Sequence, residues 1–263
     1  MMNFRQKIAR ETGISAEKVP ASYQILGDVM LLKFGCSEVE KKKIADTILQ
    51  LYPYVKTVCE TKGVSGELRQ PFVRKLAGNG TETVHKENGI FYKLDAAKLM
   101  FSKGNHLERQ RLLGEVKKNE VVVDMFAGIG YFSLPIAKHV KKMYAIEKNP
   151  ISFGYLEENI SSNKLQNVEA MNADCRDVQM QGVADRIIMG YFPHTEKFLP
   201  FALKILKPHG IVHFHNAYRE DELWKKPEEQ LKVLGDFRLL SKRKVKSIAP
   251  RRWHAVMDVQ VAN

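Results

Sequence analysis

Three acidic residues, Asp124, Glu147 and Asp174, stand at the ends of three successive apolar runs. Asp124 opens the loop Asp124-Met-Phe-Ala-Gly-Ile-Gly130, whose Gly128 and Gly130 carry no side chain. Backbone N–H groups at such a loop can approach a ligand closely at the start of a helix. Glu147 closes the run Lys142-Met-Tyr-Ala-Ile-Glu147, 23 residues after Asp124. An acid at that place can accept hydrogen bonds from both ribose hydroxyls of a nucleoside. In Asn172-Ala-Asp-Cys175, Asp174 stands where an adenine amino group could donate. Any one of these acids is as readily a helix cap or turn residue; three in order make a coherent nucleoside cleft. The acid precedes the glycines, and no third glycine follows at the dinucleotide spacing. The loop therefore suits a ligand with a cationic amino-acid tail and no pyrophosphate, which points to S-adenosylmethionine.

The elements that must hold these residues alternate. Leu107–Val116 reads as a helix. Strands are expected over Val121–Phe126, Met143–Glu147, Val168–Met171, Arg186–Gly190 and Gly210–His215, with helices over Tyr131–His139, Ser152–Asn163, Glu196–Leu206 and Asp221–Leu234. Strands alternating with helices imply a Rossmann-like, mostly parallel sheet covered on both faces. Arg238–Lys246 and Trp253–Val261 read as two closing antiparallel strands, giving seven strands. In such a sheet the ligand lies outside the carboxyl ends of the strands. Before this α/β region, residues 1–18 read as a helical lead-in and Tyr23–Phe34 as a strand, a Gly27-Asp28 turn and a strand. Val39–Tyr52 has helical spacing, Val55–Cys59 is a strand, and Val84–Leu94 is a hairpin about Asn88-Gly89, a strong turn signal. The expected division is a small α+β domain, residues 1–100, and a catalytic domain, residues 101–263.

The 263 residues carry a net charge of +12 and a pI near 9.5, which favours a polyanionic partner. The charge is local. Arg238, Lys242, Arg243, Lys244, Lys246, Arg251 and Arg252 follow one another with no acid among them. With Arg69, Arg74 and Lys75 they are candidates to track phosphates. A lysine-rich surface that serves only solubility is the plainer reading. Cys36, Cys59 and Cys175 are odd in number and far apart, as free thiols in a reducing compartment are; no metal is expected. No signal peptide or membrane span is read, so a cytoplasmic protein with no membrane partner is expected.

The glycine loop and the acids at the second and third strand ends resemble the class I S-adenosylmethionine-dependent transferases. The resemblance narrows at Glu87-Asn-Gly-Ile-Phe-Tyr-Lys-Leu94 and onward through Lys103-Gly-Asn-His-Leu-Glu-Arg109. With Glu67-Leu-Arg69 and Leu76-Ala-Gly-Asn-Gly80, these stretches are similar to two archaeal and eukaryotic tRNA families. One is the guanosine-37 N1-methyltransferases, the other the wybutosine-synthesising aminocarboxypropyltransferases. The likeness runs from about Tyr23 to the C-terminus. It implies that Ser102 and Arg109 reach the cofactor, Arg109 pairing with its carboxylate in a bidentate way. The alternative for Arg109 is a surface ion pair with Glu108 or Glu115. It also implies that Asp174 and Cys175 meet the adenine. The family often has Asn where Cys175 stands, so the backbone N–H is the contact expected there. Phe126 and Tyr131 either pack around the sulfonium or belong to the core.

The fourth strand end separates the two families. The methyltransferases are expected to carry an Asn-Leu-Pro type motif, whose asparagine carbonyl holds a ring nitrogen. Here the run is Ile187-Ile-Met-Gly-Tyr-Phe-Pro-His194, and Gly190 has no such carbonyl. Gly190-Tyr191 and Gly210-Ile-Val-His-Phe-His215 are similar to the aminocarboxypropyltransferases. The separate N-terminal module of the methyltransferases is expected to be lacking. Tyr191 is a candidate to stack on an extruded base. For a catalytic base the weak candidates are Tyr191, His194, His213 and His215; a strand histidine is more often a hydrogen-bonded core residue. The reading is a transferase that moves the 3-amino-3-carboxypropyl group to a modified base beside the anticodon of phenylalanine tRNA, with no obligate protein partner. The rivals are guanosine-37 N1-methylation and a non-catalytic RNA-binding protein.

Overall fold

The computed structural model describes residues 2–66 and 69–262; Glu67 and Leu68 of the pattern Glu67-Leu-Arg69 lie outside the described residues. The chain divides into two compact units. The first comprises Met1–Glu87 and Phe91–Lys103, the second Asn88–Ile90 and Gly104–Asn263.

The first unit is built from α1 (Phe4–Thr12), β1 (Tyr23–Leu26), β2 (Val29–Leu32), α2 (Glu38–Leu51), β3 (Thr57–Ser65), β4 (Gln70–Gly78), β5 (Glu82–Glu87) and β6 (Ile90–Asp95). Both helices start at capping boxes, Asn3 with Gln6 and Ser37 with Glu40, which satisfy N–H groups otherwise left without partners. β1 to β4 form one sheet in sequence order, β2 and β3 parallel through α2 and the other pairs antiparallel. Its core includes Ile8, Met30, Leu32, Ile44, Ile48 and Val58. β5 and β6 turn at Asn88-Gly89 with φ of 49° and 73°, the left-handed pair that a two-residue hairpin requires. β4 has no counterpart in the sequence reading, because its alternation is blurred by exposed Phe72 and by a register shift against β3.

The second unit contains α3 (His106–Glu115), β7 (Val121–Asp124), α4 (Ser133–Ala137), β8 (Lys142–Ile146), α5 (Pro150–Ser162), β9 (Val168–Met171) and β10 (Ala184–Met189). It continues with α6 (Leu199–Ile205), β11 (Leu206–Arg219), α7 (Lys225–Leu231), β12 (Phe237–Ala249) and β13 (Arg252–Val261). Among the described residues the sheet has seven strands, in the order β12-β13-β11-β10-β7-β8-β9. β9, β8, β7, β10 and β11 are mutually parallel, and β13 and β12 close the edge as an antiparallel hairpin. The strand order reverses between β7 and β10, which is where such sheets open a crevice.

Several elements differ in length from expectation. α7 begins at Lys225 instead of Asp221, because Pro227 lacks an N–H and its ring would clash with the carbonyl four residues earlier. The helix expected over Glu196–Leu206 is split into a tight turn, Thr195–Phe198, and α6, with Pro200 in its first turn. α4 spans five residues, since the positive φ values of Gly128 and Gly130 keep the chain non-helical up to Tyr131.

Candidate functional site

The glycine loop follows directly from β7. The N–H of Met125 bonds to Ile188 O at 3.0 Å and that of Ala127 to Ile146 O at 2.9 Å, so neighbouring strands on both sides grip the loop. Gly128 has φ +59° and Gly130 φ +97°. A Cβ on Gly128 would stand 2.5 Å from Tyr131 Cε2, and one on Gly130 2.3 Å from Leu134 Cγ. Both positions need glycine for conformation and for space.

The three strand-end acids have different surroundings. Asp124 is fully buried and accepts bonds from the Phe126 N–H at 3.1 Å and from Ser133 Oγ at 2.7 Å. Burial raises its carboxyl to about 6 despite those bonds. Asp124 thus ties the loop to α4 from inside. Glu147 accepts the Gly128 N–H through Oε2 and the Asn149 N–H through Oε1, each at 2.7 Å. Burial raises this carboxyl as well, and the backbone N–H groups oppose the shift. Asp174 is gripped by the Arg176 guanidinium at 2.6 Å and by Lys148 Nζ at 3.2 Å, which hold it far below the usual carboxylate range. The Cys175 side chain lies in the main core, and burial pushes its thiol up to about 12. Only its backbone is then suited to meet a ligand.

Arg109 is 2% exposed and so is not a surface ion pair. Arg111 pairs with Glu108 and Glu115, at hydrogen-bond distance to each. The charge of Arg109 is felt at Tyr131, whose phenol burial and the Glu147 charge push up while Arg109 draws it down. Arg109, Tyr131 and Glu147 thus belong to one electrostatic neighbourhood. Ser102 falls in the first unit.

At the other side of the loop the ends of β7 and β10 meet through aromatic rings. Phe126 stacks on Tyr191 with centroids 5.1 Å apart and planes at 24°, and Phe198 meets Phe126 edge-on at 4.9 Å. The Arg176 guanidinium lies 5.4 Å from the Phe198 centroid. Phe198, Arg176 and Ser133 were not singled out from the sequence, since nothing local marks them; Phe198 sits in a turn and Arg176 between strands.

The histidine candidates separate in the fold. His213 is fully buried, with Nε2 2.7 Å from Arg186 Nη1 and Nδ1 2.6 Å from Asp258 Oδ1. Arg186 also bonds Glu120, and Asp258 bonds Arg111 and Ser241. Both ring nitrogens are engaged in a buried charge network. His215 is also fully buried, bonded through Nδ1 to His254 Nε2 at 3.0 Å. His194 is exposed, in the left-handed region at φ +72°, and its Nδ1 lies 3.5 Å from Glu196.

The basic candidates are partly neutralised. Arg74 pairs with Glu38 and Glu60, Lys242 with Glu228, and Lys244 with Glu220. Lys75 donates to Asn79 O and Arg238 to Gln260. Arg243 bonds Ser241, Lys246 packs beside Gly104, and Arg69 lies 3.8 Å from Met100 Sδ. Arg251 and Arg252, at the β12–β13 turn, are exposed.

With this geometry the likeness to known proteins is extensive. The TRM5/TYW2 methyltransferase domain matches residues 83–240, and the TYW2 N-terminal domain matches residues 8–81. The chain belongs to the TRM5/TYW2 family. Within that family it is 44% identical to the tRNA(Phe) (4-demethylwyosine(37)-C(7)) aminocarboxypropyltransferase of Methanocaldococcus jannaschii, over 90% of this chain and 97% of the relative. It is 34% identical to the tRNA (guanine(37)-N(1))-methyltransferase Trm5b of Pyrococcus abyssi, over 93% of this chain and 76% of that protein. The crystal structure of P. horikoshii TYW2 in complex with MeSAdo matches with a TM-score of 0.86 and 40% identity, covering 98% of this chain and 99% of that one. Of these two relatives, the aminocarboxypropyltransferase has the higher identity and is covered more completely.

Proposed function

We infer that the protein transfers the 3-amino-3-carboxypropyl group of S-adenosylmethionine to C7 of 4-demethylwyosine at position 37 of tRNA(Phe), releasing 5′-methylthioadenosine. The observation that carries this reading is the 44% identity, nearly end to end on both chains, with the M. jannaschii aminocarboxypropyltransferase. Gly190-Tyr191 at the end of β10 supports it, since no side-chain carbonyl stands there to hold a guanine ring nitrogen.

The residues present fit the donor. Gly128 and Gly130 hold the loop in backbone conformations that side chains rarely adopt, with Tyr131 and Leu134 packed against them, and Glu147 is braced by two N–H groups beside it. Glu147 holds the ribose, the loop N–H groups face the amino-acid portion, Arg109 meets its carboxylate, and Asp174 with the Cys175 backbone borders the adenine. When bound, the donor supplies an electrophilic Cγ on a sulfonium. A new C–C bond forms at C7, the S–Cγ bond breaks with its electron pair passing to sulfur, and the C7 proton is lost. The protein's part is to hold C7 in line with Cγ at roughly 3–3.5 Å and to keep the methyl group turned away. Tyr191, stacked on Phe126, offers an aromatic face to the target base. The anticodon stem-loop is held by Arg251, Arg252 and the β12 cations, with Arg69 and Lys75 of the small N-terminal domain reaching further phosphates. Acting on tRNA, the enzyme works in the cytoplasm.

The deciding experiment uses S-adenosylmethionine labelled separately in the methyl and carboxyl groups, with tRNA(Phe) either unmodified or carrying 4-demethylwyosine. Carboxyl label on the modified tRNA alone is the expected result. Methyl label on the unmodified tRNA would make the protein a guanosine methyltransferase.

A further inference from the structure

The segment after β10, Gly190 to His194, carries Tyr191 and is held from beneath by β11 and β13. The His194 N–H donates to Asn216 Oδ1 at 3.2 Å, and Asn216 Nδ2 donates to Glu196 Oε2 at 2.8 Å. Thr195 Oγ1 donates to the Tyr191 carbonyl. The Phe192 ring lies on the His254 imidazole, with centroids 4.5 Å apart and planes at 31°. His254 Nε2 and His215 Nδ1 share a 3.0 Å hydrogen bond, and His215 meets the Phe132 ring at 5.5 Å and 62°. Phe132 in turn lies beside Gly190, where a Cβ would stand 3.0 Å from its Cε2. These neighbours close a circuit from Gly190 through Phe132, His215, His254 and Phe192.

Two imidazoles are an expensive way to fill this space. Both are 0% exposed, and a buried polar group costs about 1–3 kcal/mol wherever its bonding is incomplete. Burial first, then the His254 charge, keep the His215 pKa well below its ordinary value. A neutral His215 can either donate or accept through Nδ1 in the bond to His254 Nε2. Glu108, whose Oε1 is 3.9 Å from His215 Nε2, and Arg111 face the pair from α3; His213 and Asp258 face it from β11 and β13. The backbone above is constrained as well, since His194 holds φ +72°, a conformation that persists in a non-glycine residue when its surroundings over-determine it.

We propose that His215 and His254 are positioning residues for the transfer, fixing through Phe192 the loop that presents Tyr191 to the target base. This rests on the transferase reading above. Apolar rings of the same volume could slide against each other, whereas the hydrogen bond sets one relative orientation. A shift of about 1 Å at the reacting atoms costs on the order of a hundredfold in rate.

The test compares His254→Leu and His254→Gln with the native protein, each also prepared with 3-fluorotyrosine at Tyr191. Both variants are expected to bind S-adenosylmethionine within about twofold of the native protein, because His254 is not among the residues assigned to the donor above. His254→Leu should lower kcat for carboxyl-label transfer roughly tenfold or more and move or broaden the fluorine resonance; His254→Gln, which can still bond His215, should recover most of both. A His254→Leu protein with native kcat and native resonance overturns the inference. So does an equal fall of cofactor binding, melting temperature and kcat in both variants, the mark of a purely structural pair. A native protein that transfers methyl label, or none, overturns the aminocarboxypropyl reading instead, and the fluorine resonance still decides the role of the histidines.

Discussion

Glu147 Oε2 accepts the backbone N–H of Gly128 at 2.7 Å, which ties the end of β8 to the glycine loop after β7. One carboxylate of the neighbouring strand thus fixes the loop. Because burial disfavours its charge and the N–H groups restore it, Glu147 is poised to gain from a ligand that donates further hydrogen bonds.

Replacing Glu147 with Ala removes both N–H bonds and the acceptor for the ligand. Hydrogen bonds to a charged group contribute about 1.5–3 kcal/mol each, so S-adenosylmethionine affinity should fall by on the order of a hundredfold or more. Calorimetry reads this directly. Native affinity in Glu147→Ala would remove Glu147 from the cofactor site.

Gly128→Ala places a Cβ 2.5 Å from the Tyr131 ring at a φ of +59°. The strain costs about 1 kcal/mol or more in stability, and the Tyr131 ring must move to admit the Cβ. Cofactor binding should be lost while thermal unfolding remains cooperative, a difference that calorimetry and melting together resolve.

Asp124 gives a pH dependence of defined sign. Its carboxyl stands near 6 in the folded protein against an ordinary value of 3.8. Between those values the folded state holds a proton that the unfolded state has released, so this group's contribution to stability falls as pH rises from about 4 to 6 and is flat above. The interval corresponds to on the order of 3 kcal/mol. Asp124→Asn keeps an acceptor for the Phe126 N–H and has no such dependence. Its stability relative to the native protein should therefore grow across that window in denaturant titrations; a constant difference would show that Asp124 is not raised.

Arg111 Nη1 lies 2.8 Å from Asp258 Oδ2, and the same guanidinium serves Glu108 and Glu115. Burial alone would raise Asp258, but the His213 hydrogen bond and the His213 and Arg111 charges hold it far below the usual carboxylate range. Arg111→Met leaves these carboxylates without their cation and should destabilise by about 3–5 kcal/mol in urea titrations. A loss below about 1 kcal/mol would mean that the network relaxes around the change.

The double variant Arg251→Ala, Arg252→Ala removes two exposed cations at the β12–β13 turn. The slope of log affinity for tRNA against log salt should flatten by about 0.7–0.9 for each phosphate that these cations neutralise in the native complex. Arg243→Ala, Lys244→Ala should flatten it less, because Lys244 already pairs with Glu220 at 3.0 Å. An unchanged slope in the first variant would remove the turn from the tRNA surface.

What the sequence by itself determined is local. The Asn88-Gly89 turn, the glycine loop, the alternation from β7 to β11 and the closing β12–β13 hairpin follow from backbone preferences and hydrophobic period, which neighbouring residues carry. The backbone places of Gly128, Gly130 and Glu147 were legible because they rest on missing side chains or on a strand end. Pro227 also stood in plain view, although its effect on the start of α7 was not drawn from it. The tertiary structure alone decided which charges are already spent. Arg111 meets Asp258 across 147 positions, His215 meets His254 across 39, and Asp174 is gripped by Arg176 and Lys148. Such pairings depend on which strands lie side by side and on how far burial strengthens each charge, and no local pattern encodes either. His213 and Asp124 are the clearest cases. Neither the buried network around His213 nor the Asp124–Ser133 tie could be read from the residues nearest them in sequence.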